Sequence, residues 1–192
     1  MSIRHTVKAV VEGMPHIVMG GVPPVRAGDE RLASRSLEVA GLPVLTLLSD
    51  DFAPDGPIPR ACAAEGENQA PVLRWLDVPA QTKSLVLMAE DPDAPTPEPF
   101  VHWLVWGIAP GRRSLQRAPA SVVEGRNSMM KKGWTGCAPP KGDVAHRYVF
   151  ELFALEVPLH LSAGKGRTAL VNAMAGHVVG YGELRGSYQI PK

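Results

Sequence analysis

The chain has 192 residues, of which 45% are hydrophobic and 20% are charged, and its formal net charge is +1 at pH 7. This length and composition are typical of one folded domain of a soluble protein. The near-neutral charge argues against a nucleic-acid or membrane-surface protein, which usually carries a basic stripe. Gly and Pro number 19 each, well above their roughly 12% combined share in average proteins. This excess favours a loop-rich, mainly β fold.

The cysteines and the N-terminus indicate where the protein works. Cys62 and Cys137 are far apart and predict neither a disulfide framework nor a CxxC site. No apolar run reaches the ~18 residues of a membrane span. Arg4, Lys8 and Glu12 interrupt the apolar part of the N-terminus, which therefore lacks the core of a signal peptide. We expect a cytoplasmic protein with no membrane span and no cofactor.

Residues 1–36 are predicted to form an N-terminal extension, and residues 37–192 the folded domain. Apolar residues of the extension recur with helical spacing until Gly and Pro interrupt them: Val7, Val10, Val11 and Met14. Two interpretations stay open. The extension is either a partly ordered arm or an arm that packs on a neighbouring subunit, which makes the protein a homodimer.

Three compact apolar runs predict the central strands of the domain. They span residues 83–91, 100–110 and 146–155, and their continuous apolar character indicates strands buried on both faces. Shorter strands are expected within 37–52 and at 71–79. Period-2 alternation in the second run puts His102 and Trp106 on one face, with Trp103 and Val105 on the other. Near the C-terminus, helical spacing from Leu170 to Val178 predicts a helix, with Thr168 as a possible cap, followed by a final strand over 182–188.

Acidic and imidazole side chains stand at the ends of these central strands. Asp91 and Asp93 close the first, and His102 and His146 open the second and third. When several strands end or begin at one rim of a sheet, the side chains at those strand ends lie close together. We expect Asp91 to meet His102, because a carboxylate that accepts from an imidazole fixes its tautomer and raises its pKa. The imidazoles then donate to a ligand anion, and Tyr148 adds a phenol.

The loop before the third strand supplies the second part of this predicted site. Gly136, Pro139, Pro140 and Gly142 make a tight turn with open backbone N–H groups, which can hold an anion. Trp103 or Trp134 is expected as an aromatic wall.

Three alternatives remain for the same residues. Asp91 and Asp93 can be part of an ordinary turn, with Asp93 and Arg147 forming an ion pair that fixes the loops. Asp91, His102 and His146 could be a metal site with two histidines and one carboxylate. Cys137 and His146 could be a nucleophile and its base. The sequence has no HExxH, P-loop or G-x-S-x-G motif.

Four motifs in order resemble the phosphatidylethanolamine-binding protein family, and above all its bacterial, Raf-kinase-inhibitor-like branch. They are "DPDAP" at 91–95, "HW" at 102–103, "GCAPPKGD" at 136–143 and "HRYVFELFAL" at 146–155. Supporting stretches extend the resemblance from about Leu37 to Tyr188. Trp106-Gly107 departs from the family, which commonly has asparagine in the second position. Ala138 departs too, because many bacterial members have cysteine or glycine there.

The resemblance implies a fold and a site. The fold is mainly β, with two packed antiparallel sheets and one or two peripheral helices. The site is a pocket at the sheet rim that binds phosphate-like anions, with no metal. Its ligand-binding residues are Asp91, His102, Pro140, His146 and Tyr148. Supporting residues are Asp93, Trp103, Ala138 and Arg147.

The function that the resemblance implies is binding of a small phosphorylated or carboxylated ligand, such as a phospholipid headgroup. It also implies regulation of a partner kinase or protease. The alternative is a small-molecule hydrolase that uses the same Asp/His cluster, with or without a metal. The residues alone do not decide whether the protein is an enzyme.

Overall fold

The structure is a computed structural model that describes residues 25–192. Eight strands form the domain: β1 Thr46–Ser49, β2 Leu73–Leu76, β3 Ser84–Asp91, β4 Phe100–Ile108, β5 Ser114–Leu115, β6 Val123–Glu124, β7 His146–Leu155 and β8 Val178–Tyr188. Two α-helices, α1 Ala33–Ser36 and α2 Arg167–Met174, accompany them. One-turn 3-10 helices lie at Asp29–Arg31 and Arg60–Cys62.

The strands form two antiparallel sheets. The smaller has the order β1-β2-β5 and the larger the order β6-β4-β3-β7-β8. This confirms the predicted mainly β fold with few helices. In the described part of the chain, no helix has the length and apolar character needed to span a membrane.

The larger sheet is buried on both faces. One face packs against the smaller sheet through side chains such as Trp75, Leu87 and Phe150. The other face is covered by the helices, where Leu170 and Met174 are buried. All eight residues of β3 are therefore buried. This explains why the predicted central strands read as continuous apolar runs without alternation.

The alternation predicted for β4 holds from Trp103 to Trp106, where Trp103 and Val105 face the smaller sheet and Trp106 faces the helices. Two β-bulges break it on either side of this stretch, so His102 is not on the predicted face. Ala89 pairs with Trp103 but Glu90 pairs with Val101, so His102 is an extra residue in β4. A second shift lies between the Leu85 and Leu87 pairings. A bulge changes which face the following side chains occupy. As a result, His102 and Trp103 both contact the Trp134 ring.

The C-terminal helix is shorter than predicted, and the last strand is longer. α2 ends at Met174, and His177 and Val178 lie beyond it, with Val178 opening β8. Gly166, not Thr168, is the N-cap residue, and no side chain caps the helix.

The predicted N-terminal extension lies partly outside the described residues, which begin at 25. The apolar residues with helical spacing, Val7 to Met14, lie outside the described residues. Within 25–36, Leu32 and Ala33 are buried against the same chain, and the backbone N–H of Gly28 donates to the carbonyl of Pro92 at 3.0 Å. The boundary at residue 36 and the homodimer stay predictions.

Candidate functional site

The antiparallel order of the larger sheet brings three chain ends to one rim. β3 ends at Asp91, and both of its neighbours begin there, β4 at Phe100 and β7 at His146. Asp91, His102 and His146 are all buried. Local sequence and strand direction together therefore place an acid and two imidazoles at the same edge.

Asp91 pairs with His146. The Nδ1 of His146 donates to the Oδ2 of Asp91 at 2.8 Å, and the backbone N–H of Asp93 donates to the other carboxylate oxygen at 2.8 Å. The expected contact between Asp91 and His102 is wrong. The bulge in β4 turns the His102 ring toward the loop at 134–136, while β7 pairs directly with β3 and brings His146 to the carboxylate.

The Asp91 carboxylate raises the pKa of His146. Burial lowers the pKa of His146, but the hydrogen bond and charge of Asp91 outweigh it, and the hydrogen bond to Asp143 adds to them. The net effect is a raised pKa. The imidazolium form donates from both nitrogens, so protonation makes Nε2 a charged donor at the rim.

His102 has the opposite character. Its Nδ1 donates to the Thr135 carbonyl at 2.6 Å, and its Nε2 is buried without a partner among residues 25–192. Burial lowers the pKa of His102, and the net shift stays downward although the Asp91 charge and the Thr135 carbonyl oppose it. A neutral ring that donates from Nδ1 offers a lone pair at Nε2. His102 therefore donates to an anion only if it takes up a proton.

Tyr148 lies beside His102. The two rings are 5.0 Å apart in an edge-on arrangement, and the Tyr148 hydroxyl is also buried without a partner in the described part of the chain. Burial strongly raises the pKa of Tyr148, so its hydroxyl keeps its proton. Two unpartnered polar atoms, one an acceptor and one able to donate, thus lie in the same buried cluster.

Asp93 and Arg147 form the predicted ion pair. Arg147 donates from Nε and Nη2 to the two carboxylate oxygens at 2.8 and 2.7 Å, and its backbone N–H adds a bond of 2.9 Å. Burial raises the pKa of Asp93, but these bonds reverse the shift, so the net pKa is lowered. Arg147 also pairs with Asp29 at 2.9 Å. These contacts tie the loop after β3 to β7.

The predicted walls of the pocket differ in exposure. Trp103 is almost fully buried, and its Nε1 donates to Glu124 at 3.0 Å. Trp134 is half-buried and stacks on Phe150. Pro140 is exposed, and its carbonyl accepts from the backbone N–H of Asp143 at 3.0 Å, which closes the loop turn. Ala138 is half-buried in the same loop.

Two charged residues that the sequence interpretation missed, Arg26 and Asp143, lie at the site. Arg26 Nη2 donates to Asp143 Oδ2 at 2.8 Å. His146 Nε2 lies 3.2 Å from that same oxygen. Arg26 Nη1 is 3.4 Å from His146 Nε2 and also donates to the Asp93 carbonyl. Asp143 stands inside the quoted Gly/Pro-rich loop, but Arg26 belongs to the extension and no local signal marks it.

This geometry does not favour the alternative metal site or the alternative cysteine nucleophile. Within residues 25–192, no three His, Cys, Asp or Glu side chains are grouped as ligands for a metal ion. The Cys137 thiol is buried, and burial raises its pKa well above the usual value. A shallow surface cleft of about 480 Å³ lies elsewhere, between residues 44–47 and 181–183. This cleft does not include the acid–imidazole cluster.

A family model described as phosphatidylethanolamine-binding protein matches residues 48–189. The chain belongs to the phosphatidylethanolamine-binding protein family. Membership confirms the resemblance predicted from the four motifs, and the matched range contains all nine predicted site and supporting residues. It does not contain Arg26. The assignment of Asp91, His102, Pro140, His146 and Tyr148 as ligand-binding residues stays a prediction.

Relatives and solved structures within the family are similar over most of the chain. A UPF0098 protein from Methanothermobacter thermautotrophicus is 37% identical over 152 residues, 76% of this chain and 99% of that protein. One from Pyrococcus horikoshii is 31% identical over 188 residues, 90% of this chain and 94% of that protein. The crystal structure of a phosphatidylethanolamine-binding protein homologue from Chlamydia trachomatis has a TM-score of 0.72 and 35% identity, and the match covers 76% of this chain and 97% of that one. E. coli YbcL has a TM-score of 0.69 and 28% identity, with 76% and 98% covered.

Proposed function

We propose that the protein binds a small anion at the sheet rim: phosphate, a phosphorylated headgroup or a carboxylate. The observation that best supports the proposal is the Asp91–His146 pair. Its 2.8 Å hydrogen bond and the raised pKa of His146 favour a charged donor among buried groups. Charge-assisted hydrogen bonds to an oxyanion are stronger than neutral ones. Pro140 and the backbone N–H groups of its loop form the outer wall in this proposal.

The unpartnered atoms of His102 and Tyr148 support an oxyanion that also carries a proton. Buried polar atoms without partners are destabilising, and a bound ligand removes that cost for both residues. The Tyr148 hydroxyl donates to one ligand oxygen. His102 Nε2 accepts from a protonated oxygen, as in hydrogen phosphate, or takes up a proton when the anion binds.

We extend the proposal to regulation of a partner kinase or protease in the cytoplasm. This extension is supported only by what the family resemblance implies. No described contact identifies the partner.

The proposal is tested by titrating inorganic phosphate into the protein in a calorimeter. We expect His102→Ala to abolish phosphate binding while the far-UV circular dichroism spectrum stays native. The matched control is His177→Ala, at a histidine whose side chain is 45% exposed and lies outside the rim cluster. Its phosphate affinity should equal that of the wild type.

Two results would contradict the proposal. Unchanged phosphate affinity in a folded His102→Ala variant would show that His102 does not bind the anion. Turnover of a phosphate or carboxylate ester that disappears in Asp91→Asn favours the hydrolase instead. Repeating the wild-type titration in two buffers of different ionisation enthalpy measures whether a proton is taken up with the anion.

A further inference from the structure

Arg26 and Asp143 form an ion pair over the imidazole of His146. We infer that Arg26 is itself an anion-binding residue, and that the Asp143 carboxylate stands at the position that a ligand oxygen takes. The inference rests on the proposed function and deepens it. It makes Asp143 an internal competitor that a ligand displaces.

The convergence of two donors on one oxygen supports this inference. Asp143 Oδ2 accepts from Arg26 Nη2 at 2.8 Å and lies 3.2 Å from His146 Nε2. A guanidinium and an imidazolium aimed at one carboxylate oxygen make the same arrangement that proteins use for phosphate and carboxylate ligands. The Asp143 carboxylate thus marks where an anion is already stabilised.

The closeness of Arg26 to His146 favours an anion at this position whenever His146 is protonated. Arg26 Nη1 and His146 Nε2 are only 3.4 Å apart, and the Arg26 charge acts to lower the pKa of His146. Two positive groups at this distance repel each other unless a negative group lies beside both. Asp91 binds the opposite side of the ring, at Nδ1. Asp143 is therefore the anion that offsets the repulsion on the rim side, and an incoming oxyanion can take over that role.

Asp143 is easier to displace than Arg26. The two side chains are similarly exposed, 28% for Arg26 and 25% for Asp143, so the difference lies in the backbone, and Asp143 belongs to the loop before β7. The segment that carries Arg26 is anchored at buried positions. The backbone N–H groups of Ala33 and Ser34 donate to Glu90 and Glu151 at 3.0 and 3.1 Å. When a ligand replaces Asp143, the guanidinium therefore stays in place and binds the ligand.

Arg26 lies outside residues 48–189, the range that the family model matches. The N-terminal segment of this chain thus supplies a charge that the matched domain does not contain. We expect Arg26 to favour dianionic oxyanions over neutral analogues.

The test uses variants of the two ion-pair partners, because the inference predicts opposite effects on phosphate binding. Arg26→Gln should weaken inorganic phosphate binding about tenfold, the order that one charge-assisted hydrogen bond contributes. Asp143→Asn should strengthen it by a similar factor, because the competing charge is gone while the amide oxygen can still accept from the Val144 N–H. Asp143→Ala serves as a second variant. Arg31→Gln is the matched control, at an exposed arginine of the same segment that pairs with Glu98.

A second readout is the thermal melting of each variant with and without phosphate. Asp143→Asn should melt lower than the wild type without phosphate, because the two cations lose their anion, and should gain more from added phosphate. If the ion pair is purely structural, Arg26→Gln and Asp143→Asn should weaken phosphate binding alike. That result overturns the inference. If the wild type binds phosphate and neither Asp143 variant binds it more tightly, the inference fails but the proposed function stands. If neither the wild type nor the Asp143 variants bind phosphate, the proposed function fails with it.

Discussion

Glu90 and Glu151 are two buried carboxyl groups on neighbouring strands, β3 and β7, and both are fully shielded from solvent. Glu90 accepts from Ala33 N–H at 3.0 Å and pairs with Arg167. Glu151 accepts from Ser34 N–H and the Tyr181 hydroxyl, each at 3.1 Å, and its second oxygen has no partner among the residues that the structure describes. The pair anchors the segment that carries Arg26. The protonation of this pair therefore affects both the stability of the fold and the segment that places Arg26 at the site.

Burial raises the pKa of Glu151 to about 8, and the neighbouring Glu90 charge adds to the shift. A folded-state pKa above the unfolded value means that the folded protein holds the proton more tightly. The stability associated with that proton is complete below about pH 4.5 and is lost as pH rises toward 8. Each unit of pKa difference corresponds to about 1.4 kcal/mol. The loss at pH 7 is thus at most about 3 kcal/mol.

We predict that Glu151→Gln removes most of this pH dependence. Glutamine keeps an oxygen for Ser34 and Tyr181, presents an amide donor toward Glu90, and cannot ionise. Relative to the wild type, the variant should gain about 1–3 kcal/mol in free energy of unfolding between pH 5 and pH 8. Urea denaturation of both proteins at pH 5, 6, 7 and 8 measures the difference.

The control for this experiment is Glu156→Gln, just beyond β7, where about half of the side chain is exposed. Its unfolding free energy should follow the wild type at every pH. A Glu151→Gln variant that is less stable than the wild type by the same amount at all four pH values would refute the reasoning. It would mean that Glu151 is already ionised in the folded protein.

Two further predictions concern the site and its loop. Asp91→Asn should move the His146 titration, followed by NMR, to lower pH, because the carboxylate that stabilises the imidazolium is gone; an unchanged midpoint would assign that role to Asp143. Gly136→Ala should destabilise the fold by about 1–3 kcal/mol, because the added Cβ would lie 2.4 Å from the Ala64 nitrogen. Gly111→Ala is its control, since that Cβ meets no heavy atom within 4 Å, and equal unfolding free energies for the two variants would contradict the argument.

The fold was largely predictable, because its central strands are buried on both faces. The residues of β3, β4 and β7 are apolar almost throughout, and each run ends at a turn signal. The four motifs then identified the family. The breaks in the alternation of β4 were not predictable, because a bulge adds one residue without leaving a mark in a period-2 pattern. The length of the C-terminal helix was overestimated for a related reason: Val178 continues the helical spacing but is used by β8.

The sequence by itself determined that Asp91, His102 and His146 stand at the same rim. Acids that close one strand and histidines that open its antiparallel neighbours must lie at the same edge, whatever the loops do. Only the tertiary structure decided how those groups pair. The bulge turns His102 toward Thr135, and the direct pairing of β7 with β3 brings His146 to Asp91. Arg26 reaches Asp143 across 117 positions of the chain. Such a contact depends on where the N-terminal segment is anchored, and short-range patterns carry no information about it.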